Sequence, residues 1–235
     1  MKFAIISAGE GSRLAQEGVQ LPKPLVQLNG EAMVDRLVRI FAQNGAEQVV
    51  IIINNEVPLT KEHMLELQQK SQVPIELIIK TTPSSMHSFY ELSRYLKDDK
   101  FCLTTVDTIF REDDFSKFIE TFKQSESDGL MAVTDFVDDE KPLYISTKDD
   151  LTITGFHDAA TPQCKYISGG IYCLTPKAID TLEKCMANGL SRMRNFQRQL
   201  VTDGLHLEAY PFSKILDVDH ADDIKKAEDF LTDNK

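Results

Sequence analysis

Residues 4–30 read AIISAGEGSRLAQEGVQLPKPLVQLNG and decide how the rest of the chain is interpreted. The short apolar run Lys2 to Ser7 ends at a glycine-containing loop, a pattern that predicts a buried strand. Glycine has no Cβ, so a loop built on Gly9 and Gly11 lets the backbone approach a ligand closely. Successive N–H groups after a strand form a concave anion site, and Arg13 and Lys23 add fixed positive charge. This combination is typical of a polyphosphate site.

Two familiar phosphate motifs do not describe this loop. A P-loop requires Lys-Ser or Lys-Thr directly after its last glycine, and Ser12-Arg13 follows Gly11 here. A dinucleotide-binding fingerprint requires a third glycine and an immediate helix, and the sequence provides neither. Taken alone, the glycine pair could equally be an ordinary turn between a strand and a loop.

Apolar runs and helical stripes alternate through the first half of the chain, which predicts a parallel sheet covered by helices on both faces. After Asp107 the rhythm changes to short segments joined by acidic turns, which indicates antiparallel strands. We therefore expect one α/β domain, residues 1–235, with a mixed, mostly parallel sheet. The predicted strands are 2–7, 49–53, 75–79, 101–105, 130–134, 143–146, 151–154, 166–174, 206–210 and 215–218. The predicted helices are 31–44, 60–70, 88–96, one on Phe115–Phe122, one capped by Thr175 and ending near Gly189, 191–200 and 221–231.

Three polar segments follow predicted strands directly: the loop from Ala8, the segment around Asp107 and the segment around Asp217. In open α/β sheets ligands bind beyond the carboxyl ends of the strands. We therefore expect these three segments to meet in a single active site.

Composition limits the classes of partner. The formal net charge is −11, which argues against nucleic acid, because binding to nucleic acid needs a basic patch. No apolar stretch approaches the length of a membrane span and no secretory leader is recognisable, so we expect no membrane partner and a cytoplasmic protein. The four cysteines lack the pair spacing of a metal site and are expected to be reduced thiols. Assembly into a homo-oligomer is compatible with the sequence, which does not set the oligomeric state.

The opening stretch resembles the signature of nucleotidyltransferases that make nucleotide sugars and related activated phosphates. Residues 8–14 read AGEGSRL, and Lys23 follows a proline after a short variable loop, as in that signature. The resemblance implies a Rossmann-like three-layer αβα fold and a loop wrapped around a nucleoside triphosphate. It assigns the catalytic cations to Arg13 and Lys23, and nucleotide binding to Ala8, Gly9, Gly11 and Ser12.

The resemblance also implies a Mg²⁺ site. Residues 104–110 read TTVDTIF, so Asp107 takes the place of the family's metal-binding aspartate, with Val106 where glycine is usual. Residues 215–224 read ILDVDHADDI and resemble the family's late motif, which makes Asp217 the second expected ligand. Asp219 falls on a variable position of that motif and is a second choice. Without the resemblance, Asp107 would be interpreted as a turn residue and the late acidic residues as a helix start.

Two further segments depart from the family pattern. Pro83, Ser84 and Ser85 stand where the family contacts base and ribose, but its Gly-Thr-Ala part is lost. Residues 168–172 read SGGIY, which implies that Gly169 and Gly170 lie against the acceptor. The family lysine that meets the acceptor phosphate is missing, and Lys165, Lys214, Arg192 and Arg194 are the candidate replacements.

The resemblance predicts a Mg²⁺-dependent transfer of a nucleoside monophosphate from a nucleoside triphosphate to a sugar-1-phosphate or similar small phosphorylated compound, with release of pyrophosphate. A cytidylyltransferase for a phosphorylated alcohol such as phosphocholine is an alternative, because the segment after residue 83 is altered. The sequence also leaves open a glycosyltransferase of the related fold and a non-catalytic nucleotide-binding relative.

Overall fold

The computed structural model describes residues 1–9, 11–138 and 140–233. The strands in these ranges are β1 (Lys2–Ser7), β2 (Gln27–Leu28), β3 (Glu31–Ala32), β4 (Val49–Ile53), β5 (Ile75–Ile79), β6 (Phe101–Thr105), β7 (Thr108–Phe110), β8 (Gly129–Thr134), β9 (Tyr144–Thr147), β10 (Ile153–His157), β11 (Cys164–Leu174), β12 (Leu207–Pro211) and β13 (Ile215–Asp217). The helices are α1 (Ser12–Gln16), α2 (Met33–Gln43), α3 (Pro58–Lys70), α4 (Ser85–Ser93), α5 (Glu112–Gln124), α6 (Lys177–Ala187), α7 (Met193–Thr202) and α8 (Ala221–Thr232).

The main sheet is mixed, as predicted, and its centre is parallel. The strand order is β10-β9-β11-β6-β1-β4-β5, and β6, β1, β4 and β5 run parallel. The long strand β11 runs antiparallel to β6, β8 and β9, and β12 extends the sheet beside β8. The opening run therefore lies in the middle of the parallel part, where buried strands are expected to be continuously apolar.

Helices cover both faces of the sheet, which gives three layers. Alternate residues of β1 point to opposite faces, so Phe3 and Ile5 join one core cluster while Ala4 and Ile6 join the other. Helices α2, α5 and α8 pack on the first face, and α4, α6 and α7 pack on the second. The predicted Rossmann-like three-layer architecture is confirmed.

An aromatic cluster fills the first face. Phe115 of α5 lies 4.8 Å from Phe110, 5.6 Å from Phe41 and 6.3 Å from both Phe3 and Phe118, measured between ring centroids. All five rings are fully buried. Because Phe110 ends β7, this cluster holds the segment that begins at Asp107 against the body of the protein.

Three details of the sequence prediction differ from the structure. Thr175 does not cap α6, because Pro176 is the N-cap residue and the Thr175 hydroxyl has no hydrogen-bond partner in the described part of the chain. Helix α4 begins at Ser85, three residues before its predicted start, because Met86 and Phe89 bury its first turns. The strand β7 was not predicted, because a run of only three residues is too short to show the alternating pattern of a strand.

Candidate active site

A cleft of about 450 Å³ opens at the carboxyl ends of the parallel strands. The loop after β1, the segment after β6 and the segment after β13 all reach it. The predicted convergence therefore holds for Arg13, Lys23 and Asp107, which all line this cleft. Asp219 lines it as the contribution of the third segment.

Gly11 shapes the opening loop. Its φ of 62° lies in the left-handed region, and a Cβ at this position would stand 3.0 Å from the Cβ of Lys23. A residue with a side chain would be strained by this φ and crowded by Lys23. Glycine at position 11 therefore lets the loop cross closely over Lys23, and α1 begins at Ser12.

Lys23 is the cation at the floor of the cleft. Its Nζ donates to Asp107 Oδ2 at 2.5 Å and to Asp219 Oδ1 at 2.6 Å, and its side chain is only 13% exposed. Burial alone would lower the pKa of Lys23, but the two carboxylates outweigh it and raise that pKa above its ordinary value. Burial would likewise raise the pKa of Asp107, and the Lys23 ammonium instead holds it below its usual range. Both groups are therefore charged at neutral pH.

Asp107 and Asp217 come from neighbouring positions of a small two-stranded sheet. Strands β7 and β13 run antiparallel with Asp217 opposite Thr108, and the Val218 N–H donates to the Asp107 carbonyl at 3.1 Å. Asp217 lines a second cleft of about 300 Å³ that adjoins the first and shares Arg13 and Asp219 with it. Among the described residues no group of three or more His, Cys, Asp and Glu side chains forms a metal cage.

The charges of Asp107 and Asp217 both act on Tyr172, a buried residue of β11. Burial raises the pKa of the Tyr172 phenol to about 12, and the charges of Asp217 and Asp107 act in the same direction. The buried Tyr172 phenol is therefore neutral at every physiological pH.

Asp219 joins the two cations of the opening loop. Its Oδ2 accepts from Arg13 Nη1 at 3.2 Å while its Oδ1 accepts from Lys23. From the sequence, Asp219 was only a second choice as a metal ligand, because it lies two positions after Asp217, the position that matches the family motif. The structure brings Asp219 to the cations of the loop and Asp217 to the second cleft.

Pro83, Ser84 and Ser85 line the first cleft at the start of α4. Ser84 is the N-cap residue, but its Oγ lies 2.8 Å from His87 Nδ1 and accepts from the Arg192 N–H at 3.4 Å. Arg192 adopts a φ of 70°, which non-glycine residues rarely occupy and which persists only where the surroundings enforce it. The N-terminus of α7 is thereby joined to this wall of the cleft.

Sequence reasoning missed several polar residues of this cleft, among them Asn54 and Ser7. Asn54 follows β4 directly, is almost fully buried, and accepts from Thr81 Oγ1 at 2.8 Å. Ser7 ends β1 with a buried hydroxyl that has no hydrogen-bond partner among the described residues. An unpartnered buried hydroxyl at a cleft is available to a ligand. Both residues carried the signal used for Asp107, a polar residue at the end of an apolar strand.

Gly169 lines the second cleft, and the packing around it requires glycine. A Cβ there would overlap Cδ1 of Ile215 and stand 3.1 Å from the carbonyl of Ala132. Gly170, with a φ of 73°, lies against the hydroxyl of Thr108. Both glycines therefore fit β11 against the β7–β13 pair that carries Asp107 and Asp217.

Three of the side chains predicted as candidate cations for an acceptor phosphate, those of Arg194, Lys165 and Lys214, each contact another side chain and do not line the second cleft. Arg194 donates to Asp158 at 2.6 Å, Lys165 stands over the ring of Tyr166, and Lys214 stands 4.0 Å from the ring centroid of Phe136. The arginine and lysine side chains that line the second cleft are instead those of Arg13, Lys141 and Lys226.

We expect Gly169→Ala to destabilise the fold by about 1–3 kcal/mol, the usual cost of overpacking a filled site. The added methyl group must displace Ile215 while the Ala132 carbonyl limits movement on the other side. Urea unfolding measures the effect. Gly9→Ala is the matched control, because a Cβ there meets nothing within 4 Å, and equal stability of the two variants would contradict the packing argument.

His220 ties the end of α1 to the start of α8. Its Nδ1 lies 2.6 Å from Glu17 Oε1, and the Ala221 N–H donates to Glu17 Oε2 at 2.6 Å. The hydrogen bond with Glu17 raises the pKa of His220 above its ordinary 6.5, and the charges of Glu140 and Asp223 add to this effect. The stabilisation from this contact is complete below about pH 6.5 and is lost as the pH rises through the raised value.

We therefore expect the imidazole protons of His220 to titrate above pH 6.5 in an NMR experiment and Glu17→Gln to move the midpoint down. Glu140→Gln should move it less, because Glu140 lies 3.6 Å from the other ring nitrogen. A midpoint unaffected by Glu17→Gln would show that Glu17 does not hold the charged imidazole.

Residues 2–234 match the sequence model of the nucleotidyl transferase family, and the chain belongs to that family. Among curated proteins, it is 24% identical over 187 residues to the mannose-1-phosphate guanyltransferase of Yarrowia lipolytica and 25% identical over 191 residues to that of Saccharomyces cerevisiae. Each alignment covers 78% of this chain and 52% of the relative, so the chain spans about half the length of the curated relatives it matches.

Solved structures share the fold across nearly the whole chain. The inositol-1-phosphate CTP transferase of T. maritima superposes with a TM-score of 0.79 at 18% identity, covering 98% of this chain and 97% of that one. The UDP-glucose pyrophosphorylase of Acinetobacter baumanii gives a TM-score of 0.77 at 17% identity, covering 97% and 91%. None of the helices in the described residues is both long and apolar enough to cross a membrane.

Proposed function

We propose that this chain is an enzyme that transfers a nucleoside monophosphate from a nucleoside triphosphate to a sugar-1-phosphate or similar small phosphorylated compound and releases pyrophosphate. The observation that carries the proposal is the meeting of Arg13 and Lys23 with Asp107 at the carboxyl ends of β1 and β6. The family match supports it, as do relatives named for transfer to mannose-1-phosphate and inositol-1-phosphate. We also infer a single nucleotidyltransferase domain, because the match spans nearly the whole chain.

The protein's part in this reaction is positioning and charge neutralisation. A phosphomonoester oxygen of the acceptor is already anionic at neutral pH, so its attack on the α-phosphorus needs no general base. The new oxygen–phosphorus bond forms in line as the bond from the α-phosphorus to the bridging oxygen breaks, and pyrophosphate leaves with the electron pair. Arg13, Lys23 and the loop N–H groups stabilise the charge that develops on the phosphates.

The residues present also fit a Mg²⁺ ion. This ion is usually held by one or two carboxylates together with substrate phosphates. Asp107 directly precedes β7, and Asp217 of β13 pairs with Thr108, so one carboxylate lines each of the two adjoining clefts. We infer that these two residues would hold Mg²⁺, which when bound neutralises phosphate charge.

The second cleft is the proposed acceptor site, because it adjoins the first and shares Arg13 with it. Carboxylates outnumber cationic side chains in its lining, with Asp138, Glu140, Asp217, Asp219 and Asp223 against Arg13, Lys141, Lys226 and the titratable His220. This balance disfavours acceptors with extra negative charge. It supports, as a second candidate, a CTP-dependent enzyme for a neutral or cationic phosphorylated alcohol, such as phosphocholine.

The decisive experiment measures pyrophosphate release with Mg²⁺ for ATP, CTP, GTP, UTP and dTTP against a set of sugar-1-phosphates and phosphorylated alcohols. Release that requires one nucleotide and one acceptor would establish the reaction and select between the two candidates. Nucleotide binding without turnover on any acceptor would favour a regulatory relative. Absence of both binding and turnover would contradict the proposal.

A further inference from the structure

Asp219 forms ion pairs with Arg13 and Lys23, the two cations to which the proposed function assigns the triphosphate. Its two carboxylate oxygens are divided between Arg13 at 3.2 Å and Lys23 at 2.6 Å. A phosphate oxygen and a carboxylate oxygen compete for the same N–H donors, because both are anionic acceptors. We propose that Asp219 is a built-in competing anion, which a polyphosphate must displace in order to bind, so that this residue sets the polyphosphate affinity of the opening loop. The inference rests on the proposed function, since it takes Arg13 and Lys23 to be the phosphate-binding cations.

The backbone around Asp219 is fixed independently of its side chain. The Val218 N–H donates to the carbonyl of Asp107, and the N–H groups of Asp219 and His220 both donate to Asp223 Oδ2, at 3.2 and 2.9 Å. The segment is therefore held in place when the carboxylate is removed or turned away. Only side-chain rotation is needed to release the two cations.

Of the two carboxylates paired with Lys23, Asp219 is the one that can be displaced. Its side chain is 44% exposed, whereas that of Asp107 is 20% exposed. A solvated carboxylate loses little when it gives up an ion pair, because water replaces the contact. Asp107 stays paired with Lys23 while Asp219 exchanges with the ligand.

This exchange favours ligands that carry several negative charges. A single phosphate group competes with the Asp219 carboxylate on roughly equal terms. A triphosphate instead places negative charge against Arg13 and Lys23 at the same time. Asp219 would therefore weaken binding of every anion to the loop while leaving chained phosphates as the ligands that overcome it. Replacement by asparagine keeps the size of the side chain and the backbone contacts and removes only the competing charge.

The test titrates inorganic tripolyphosphate and the five nucleoside triphosphates into wild type, Asp219→Asn and Asp222→Asn by calorimetry, in low-salt buffer with a chelator and without metal. We expect Asp219→Asn to lower the Kd for tripolyphosphate about tenfold, equivalent to about 1.4 kcal/mol. Asp222→Asn is the matched control, because this exposed aspartate at the start of α8 removes the same charge but lies outside both clefts.

Asp219→Ala serves as a second variant, and thermal unfolding verifies that each variant is folded. Tighter binding by both Asp219 variants and not by Asp222→Asn would support the inference. An unchanged or higher Kd for both Asp219 variants would overturn it while leaving the proposed function intact, and so would an equal gain in Asp222→Asn. If none of the proteins bound tripolyphosphate or any nucleotide, the inference would be overturned, and pyrophosphate release with Mg²⁺ would decide the proposed function separately.

Discussion

Lys23→Ala is expected to lower kcat about 10²–10³-fold, which corresponds to about 3–4 kcal/mol of lost transition-state stabilisation. The ammonium is held within hydrogen-bond distance of Asp107 at the floor of the cleft, so it is placed before the substrate arrives. A preorganised charge in a partly buried site needs no rearrangement during the reaction, which is why its removal has a large effect. The measurement is the initial rate of pyrophosphate release with the nucleotide and acceptor identified by screening.

The same substitution should destabilise the fold by about 3 kcal/mol, because it leaves the carboxylate of Asp107 largely buried without its countercharge. Asp107→Ala should also lower kcat, by an amount that corresponds to several kcal/mol of lost transition-state stabilisation. The double variant should be less impaired than the sum of the two, since the residues form one ion pair. Lys225→Ala, which removes an exposed lysine on α8, is the matched control and should leave both kcat and stability nearly unchanged. Normal turnover in folded Lys23→Ala and Asp107→Ala would refute the site assignment.

Phe115→Ala should lower the free energy of unfolding by about 3–5 kcal/mol, the typical cost of emptying an aromatic site in a core. Phe115 contacts four other buried phenylalanines, so the cavity is bounded by rings that come from β1, α2, β7 and α5 and cannot all move inward. Domains of this kind are stable by about 5–15 kcal/mol, so the loss is a large fraction of the total.

Urea unfolding followed by far-UV circular dichroism measures this loss. Phe136→Ala is the control, because Phe136 is 36% exposed and its ring lies beside the Lys214 ammonium, so the expected change is below about 1 kcal/mol. A loss below about 1 kcal/mol in Phe115→Ala would show that the cluster relaxes to fill the gap. Because Phe110 belongs to the same cluster, a reduced affinity for nucleotide is a secondary expected result.

The parallel centre of the sheet could be predicted from sequence because its strands are short runs dominated by apolar residues, and one of them, Val49–Ile53, is apolar throughout. The loop from Ala8 to Lys23 could also be predicted, since glycines and cations at a strand end restrict the chemistry strongly. The position of Asp219 could not, because its ion pairs with Arg13 and Lys23 join distant parts of the chain and leave no local pattern. The left-handed backbone conformation of Arg192 could not be predicted either, because nothing in the neighbouring sequence encodes a positive φ.

The β7–β13 pair has a consequence for the order in which the protein acquires its site. Strands β7 and β13, which carry Asp217 opposite Thr108, pair only when nearly half of the chain has been closed into a loop between them. Closing such a loop costs entropy before any contact offsets it. A chain still emerging from the ribosome therefore has its glycine loop and parallel strands long before it can complete the cleft. Ligand that binds across the pair would in turn hold the last helix onto the first strands, so occupancy should protect the C-terminal segment from proteolysis.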